Sequence, residues 1–453
     1  MTTVTSTPAA KPVPATKSAA VPAPAPAASG AALSSPQSSA AVDTPRVKPA
    51  YREHSFVRLM FGEGASTVGD QIWYVALSWA AVRSGGPASA GAIMTASAIP
   101  RMLLLLFAGP LADRFDARRL MIGSDAARAV LMLGAAALAV LHPGIGMLVG
   151  VSLLLGAIDA LFLPAAGSVR PRLLETEQLP QAAALRELTL RGALVAGAPL
   201  GGLLVATGGL GWACALNSLS FAASMVAVYK IRPRPLAVDA GAEGTAARTP
   251  YLTSLRDGLS ALVRNRVVSA LLLVGLLTNL GFVGPMNVGL ALLSDQRGWG
   301  AAGIGMLLAA FGIGAAAGSV VLLRWRVTRR IGAVVAVAVL AQAGALAAMA
   351  LLPTLPLATA AAALVGVSGA VVGVSCGALG QARTPDELRG RISSVQTLLS
   401  LGVVPLAVAG TGVLAAAIGT VPALLASAGI EVLAAVPCLL VGALRGARLG
   451  GAA

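Results

Sequence analysis

The chain has 453 residues, of which 57% are hydrophobic and only 11% charged, with a formal net charge of +15 and a mean hydropathy of +0.82. Soluble domains carry about 25% charged residues, so this composition excludes an ordinary soluble fold and marks a polytopic membrane protein. The positive balance does not indicate a nucleic-acid partner, because the arginines are spread among loops and the aromatic residues on which bases could stack amount to 4%.

Residues 1–50 are rich in Ala, Pro, Ser and Thr, as in Val21-Pro22-Ala23-Pro24-Ala25-Pro26. Without apolar periodicity such a segment cannot build a core. It reads as a disordered cytoplasmic tail, not a signal peptide, since no unbroken apolar stretch follows its lysines. Apolar segments begin at Phe56. A helix needs about 20 residues to cross a bilayer, and twelve such segments follow, at 56–82, 88–112, 120–141, 144–168, 182–207, 209–229, 267–293, 300–323, 331–352, 355–380, 391–417 and 420–444. Turns as short as His142-Pro143 make antiparallel neighbours. The polar stretch 231–266 separates six spans from six, and Leu252, Leu255, Leu259 and Leu262 within it have the spacing of an amphipathic helix on the inner membrane surface. The domain reading is therefore tail 1–50, bundle 51–230, linker 231–266, bundle 267–445 and a short tail 446–453. The predicted fold class is an all-α membrane protein with twelve transmembrane helices in two pseudo-symmetric six-helix bundles.

The loops supply the orientation. With the amino terminus inside, the inner side receives Arg52, Arg58, Arg114, Arg118, Arg119, Arg170, Arg172, and the basic stretches 230–266, 324–330, 383–391 and 445–448. The outer loops receive only Arg83 and Arg297. Basic residues mark the cytoplasmic side, so both termini are expected in the cytoplasm, and the membrane is expected to be the plasma membrane. Cys214, Cys376 and Cys438 lie inside apolar runs without metal-ligand spacing, and His54 and His142 sit at segment edges. No metal and no cofactor are expected, and proton chemistry must rest on carboxylates. No phosphate-binding loop of the Gly-x-x-x-x-Gly-Lys-Ser/Thr kind occurs, so ATP is not the direct driver; the energy source would be the proton gradient.

The most densely charged turn, Gly109-Pro110-Leu111-Ala112-Asp113-Arg114-Phe115-Asp116-Ala117-Arg118-Arg119, lies between spans 2 and 3. It resembles the loop between helices 2 and 3 of the major facilitator superfamily, Gly-x-x-x-Asp-Arg-x-Gly-x-Arg-Arg. Gly109, Asp113, Arg114, Arg118 and Arg119 fall on that pattern, with Asp116 where it has Gly, as in the branch of macrolide and siderophore exporters. Gly197-Ala198-Pro199-Leu200-Gly201-Gly202 is similar to the helix 5 antiporter pattern Gly-Pro-x-x-Gly-Gly, with Pro199 one position late. The stretch 162–179 looks like the branch's helix 4–5 connection, and 381–391 looks like its signature before helix 11. The resemblance implies a drug:proton antiporter working by alternating access, exporting a lipophilic or drug-like small molecule as a monomer in the lipid bilayer. It also implies a latch, in which Asp113 docks on the amino-terminal end of span 11. The alternatives are an importer of a small nutrient on the same fold and, more remotely, a membrane sensor or enzyme.

Ionisable residues within spans are expensive and are functional candidates by default. Asp70 lies about 21 Å into span 1 at 1.5 Å per residue, and Arg101 reaches a similar depth in span 2, so the two can pair. Glu63 lies two turns before Asp70, and Trp73 and Tyr74 follow it by three and four residues, on its face. A carboxylate beside aromatics suits a cationic or amphipathic substrate. Asp159 in span 4 faces inward by resemblance, although the Arg common in that helix is absent. Asp70 is thus the first candidate proton carrier and Asp159 the second, with Glu63 and Arg101 as further coupling candidates. Trp73, Tyr74, Asn279 and Asn287 are candidates for the substrate cavity, though packing is an equally open reading for the aromatics and helix–helix hydrogen bonding for the asparagines. Asp125 and Arg128 read as a local salt bridge near the interface, and Glu431 as a structural group.

Overall fold

The computed structural model describes residues 49–104, 116–234, 265–324, 330–384 and 386–445. The described residues are helical, with no strand among them. The long helices are α1 His54–Ala96, α2 (98–104), α3 Ala117–Leu141, α4 Ile145–Val169, α5 Leu179–Tyr229, α6 Arg266–Gly284, α7 Leu290–Gln296, α8 Gly300–Arg324, α9 Ile331–Leu351, α10 Leu355–Arg383, α11 Asp386–Ile418 and α12 Thr420–Leu440. Eight helices among the described residues are long and apolar enough to cross a membrane.

Two runs are too long for one crossing. α1 has 43 residues and α5 has 51, roughly 65 and 77 Å at 1.5 Å per residue, against about 30 Å of hydrocarbon. Both reverse at a glycine. Gly86 has φ 73° and Gly209 φ 72°, the left-handed region that side chains other than glycine's adopt only at a cost. Pro87 then sets the first turn of the second limb of α1. These breaks fall at the predicted boundaries between spans 1 and 2 and between spans 5 and 6. One predicted span is instead irregular, since α6 passes into α7 through a π turn at Pro285–Gly289.

Side chains cap the helices at the arginine-rich side. Asp116, the departure from the family pattern, is the N-cap of α3, and its Oδ1 accepts from Arg119 N–H at 2.9 Å. A cap of this kind contributes about 1 kcal/mol, which accounts for an aspartate where the pattern has glycine. Asn265 caps α6 by accepting from Val267 and Val268, and its Nδ2 donates to Arg383 O at 3.2 Å, tying the start of α6 to the end of α10. Arg118 donates to Tyr229 O at the end of α5.

The two halves meet through small residues on the side opposite the arginines. A Cβ on Gly91 of α1 would stand 3.1 Å from Gly412 Cα of α11, and one on Gly202 of α5 would stand 2.7 Å from Ala301 O of α8. A Cβ on Gly305 of α8 would stand 2.5 Å from Ala198 O. Arg83 and Asp295 add an exposed ion pair across the halves at 3.5 Å. The antiporter-like motif therefore has a mechanical position. Gly197 and Gly201 pack against Val68, Gln71 and Ile72 of α1, while Pro199 and Gly202 pack against α8.

At the predicted tail boundary Ala50 is fully buried and its N–H donates to Gln181 Oε1 of α5 at 2.8 Å. Gly109, Asp113 and Arg114, the amphipathic stretch 252–262 and the tails 1–48 and 446–453 lie outside the described residues.

Candidate functional site

A cavity of about 210 Å³ opens within the first half, lined by carboxylates and arginines from α1, α2, α3, α4 and α5. Glu63 and Asp70 come from α1, Arg101 from α2, Arg128 from α3, Asp159 from α4 and Arg186 from α5, with Arg170 just beyond α4. Helix geometry explains why each half-site comes as a pair. Asp125 and Arg128 are three residues apart on α3 and share one face, as do Glu63 and Asp70 seven apart on α1.

Arg128 is the hub. Its Nη2 donates to Asp125 Oδ1 and its Nη1 to Asp159 Oδ1 at 3.2 Å. Phe162 and Phe221 stand over its guanidinium, 4.2 and 4.5 Å away. Ser224 Oγ donates to Asp125 Oδ2 at 2.8 Å. Arg101 closes the other end of the chain, with Nη2 donating to Asp159 Oδ2 at 2.6 Å. The result is a continuous line Ser224–Asp125–Arg128–Asp159–Arg101 running from the core to the cavity. The Asp125 and Arg128 side chains are 0% and 3% exposed, whereas Asp159 is 18% and Arg101 38% exposed. A second cluster lies nearer the arginine-rich side, where Glu63 meets Arg170 at 3.1 Å and Arg186 at 3.4 Å.

These pairings correct one expectation. Arg101 pairs with Asp159, not with Asp70, because its side chain extends from α2 toward α4. The Asp125–Arg128 salt bridge forms as read, and it is buried between helices. No arginine comes from span 4, and Arg128 of span 3 reaches Asp159 in its place. Asp70 lines the same cavity, yet among the described residues it has neither an ion pair nor a hydrogen bond.

The aromatic and amide candidates are dispersed. Trp73 is 5% exposed and sits in the apolar core with Tyr74 packed against that core. Neither lines the cavity that Asp70 lines. Asn279 lines a second cavity of about 590 Å³ in the other half, between α6, α10 and α11, whose walls carry no charged residue among the described residues. Its Nδ2 also donates to Gly275 O at 2.9 Å. Asn287 lies in the π turn and donates to Val283 O at 2.7 Å. The halves thus offer different chemistry, one ionic and one apolar with amide and hydroxyl groups.

Glu431 of α12 is fully buried in the second half and accepts from Gln342 Nε2 of α9 at 3.2 Å. Glu431 Oε2 and Gln342 Oε1 both lack a hydrogen-bond partner among the described residues. Gly281 of α6 rests directly on Glu431, since a Cβ there would stand 2.6 Å from Glu431 Cγ. Glu431→Gln supplies an N–H for Gln342 Oε1 and is expected to keep the thermal unfolding temperature of the purified protein. Glu431→Leu leaves the Gln342 amide unpaired at about 1–3 kcal/mol per buried group and is expected to lower that temperature. Equal unfolding of the two variants would remove this role for the pair.

Comparison with known proteins agrees with this architecture. Residues 59–405 match the Major Facilitator Superfamily model. The chain is similar to the multidrug efflux pump Tap of Mycobacterium tuberculosis (strain ATCC 25618 / H37Rv), 28% identical over 381 residues, covering 80% of this chain and 87% of that one. It is also similar to the enterobactin exporter EntS of Escherichia coli O139:H28, 28% identical over 295 residues, covering 65% and 68%. Among solved structures, the nucleoside transporter NupG superposes with a TM-score of 0.65 at 14% identity, over 85% of this chain and 98% of that one. A bacterial homologue of the iron transporter ferroportin in an inward-facing state gives 0.65 at 16%, over 85% and 98%. The relatives are transporters, the fold is theirs and the charged cavity lies inside the bundle; the chain is a transporter, not an enzyme, and belongs to the Major Facilitator Superfamily.

Proposed function

We propose that the protein exports a lipophilic or drug-like small molecule across the plasma membrane by proton antiport, with Asp70 as the proton-carrying group. The observation that carries this reading is the unpartnered state of Asp70. Glu63, Asp125 and Asp159 are each held by at least one arginine, while Asp70 lines the cavity with no arginine in ion-pair distance among the described residues. A carboxyl free of a fixed cation can exchange its charge partner, taking a proton in one state and a cationic substrate or no partner in the other. Asp159 is the second candidate, and the arginines beside it would sense the charge on Asp70.

The full span count is twelve in this reading, with α1 and its continuation α2, and α5, each contributing two crossings. Both termini are cytoplasmic and one chain closes the path. The close glycine contacts between halves then lie at the outer side, as an inward-facing conformation requires. Export moves the substrate from the cavities through an outward-facing state, in which the contacts at Gly91, Gly202 and Gly305 separate. Protonation of Asp70 from outside would release the substrate, and deprotonation inward would reset the site. The Asp113 turn would latch the cytoplasmic side in that outward-facing state. The pump Tap and the exporter EntS support the direction, and the apolar second cavity supports a lipophilic substrate.

The test is efflux of fluorescent lipophilic cations and macrocyclic compounds from preloaded cells expressing the protein, with and without an uncoupler. Uncoupler-sensitive efflux above that of control cells is expected. Greater accumulation in the expressing cells would replace export by uptake, and efflux indifferent to the uncoupler would remove the proton.

A further inference from the structure

The outer surface of the first half carries a groove that the transport path does not use. It has a volume of about 500 Å³ and runs between α1 and the second limb of α5, beside Phe61, Leu219 and Val226. These side chains are 66%, 64% and 47% exposed, so the described residues leave them largely uncovered. From Leu219 to Lys230 the helix rises roughly 16 Å at 1.5 Å per residue. That is close to the depth of one bilayer leaflet, half of about 30 Å. The groove is therefore as long as the hydrocarbon it would face.

Its polar end is strongly basic. Arg58 and Lys230 line that end of the groove, and Arg118 lies beside it over the Tyr229 ring, 5.6 Å away. Arg58 spends one N–H on Lys230 O at 3.0 Å, and Arg118 donates to Tyr229 O and Val228 O, closing the end of α5. None of the three cations has a carboxylate within ion-pair distance among the described residues. Three positive charges without a counter-charge among the described residues thus meet an apolar trough at the membrane edge. That combination has the charge and shape of an anionic phospholipid, with its phosphate at the basic end and its chains in the trough.

We infer that this groove is a binding site for one anionic phospholipid, with Arg58 and Lys230 holding the headgroup and Phe61, Leu219 and Val226 receiving the acyl chains. The lipid would bridge the joint where Gly62 of α1 packs on Ala227 of α5, so closely that a Cβ on Gly62 would stand 3.2 Å from Ala227 Cβ. Arg58 lies five residues before Glu63 on the same helix, so the occupied groove would brace the helix that carries Glu63 and Asp70. A similar groove of about 570 Å³ between α9 and α10 has Arg330 as its one cation among the described residues, and serves as the internal control.

The full-length protein, purified in detergent, would be offered equal amounts of phosphatidylglycerol and phosphatidylcholine and its retained lipid counted by native mass spectrometry. The wild type is expected to keep phosphatidylglycerol in preference, Arg58→Gln/Lys230→Gln to lose that preference by roughly thirtyfold, the scale expected of two interfacial charges, and Arg330→Gln to keep it. Inorganic phosphate is expected not to displace the lipid. A wild type without preference, a double variant that retains it, an Arg330→Gln loss as large as the double variant's, or displacement by inorganic phosphate would each overturn the assignment. Phe61→Trp leaves the charges intact and gives a second reading that does not depend on the folding of the double variant. Its fluorescence is expected to be quenched more by brominated phosphatidylglycerol than by brominated phosphatidylcholine, and equal quenching would overturn the site.

Discussion

Asp70→Asn is expected to bring uncoupler-sensitive efflux down to the level of control cells while leaving the protein folded. The two halves of this expectation have different causes. Transport fails because an amide cannot cycle a proton or balance a cationic substrate. The fold is expected to survive because, among the described residues, Asp70 has no ion pair or hydrogen bond to lose, and large destabilisations come from broken partners, cavities and stranded charges. Asp159→Asn is the instructive contrast. It weakens contacts to both Arg101 and Arg128, so it should lower the unfolding temperature as well as transport. Measuring efflux and thermal unfolding on both variants separates a carrier from a structural partner. Uncoupler-sensitive efflux in Asp70→Asn would move the proton to Asp159 or Glu63. Loss of folding in that variant would mean that Asp70 has a partner the geometry does not display.

The second large effect is on stability. Arg128→Leu removes the cation between Asp125 and Asp159 and strands a carboxylate that is 0% exposed. Breaking one side of a buried ion pair costs about 3–5 kcal/mol, and contacts with Phe162 and Phe221 are lost as well. Poor accumulation in membranes and early unfolding in detergent are expected. Arg128→Lys should fall between, because an ammonium keeps the charge but not the planar fork that serves two carboxylates. Asp125→Asn/Arg128→Leu should recover part of the loss, since removing both partners leaves no isolated charge there. Arg128→Leu unfolding at the wild-type temperature would show that the network contributes little.

Much of the architecture follows from residue order alone. Apolar runs of spanning length, the glycines at 86 and 209 where α1 and α5 reverse, and the one-sided placement of arginine are local properties, so they are visible without neighbours. The family pattern around Asp113 is of the same kind, and Asp116 could act as a cap because a cap involves only the three residues that follow it. The i, i+3 relation of Asp125 and Arg128 was legible for the same reason.

What the tertiary structure alone decided is which helix each polar face meets. Helical periodicity places Glu63, Asp70, Trp73 and Tyr74 on related faces of α1, but not the rotation of α1 against α4 and α5. That rotation comes from close packing, with Gly197 and Gly201 admitting Val68 and Ile72. It turns Asp70 to the cavity and Trp73 into the core. Arg101 and Asp159 are 58 residues apart in sequence yet 2.6 Å apart in space. A flexible arginine can reach several carboxylates, and only the packed positions of α2, α3 and α4 select among them. The same packing buried Asp125 and Arg128, whose depth no count of residues from the end of a span could reveal.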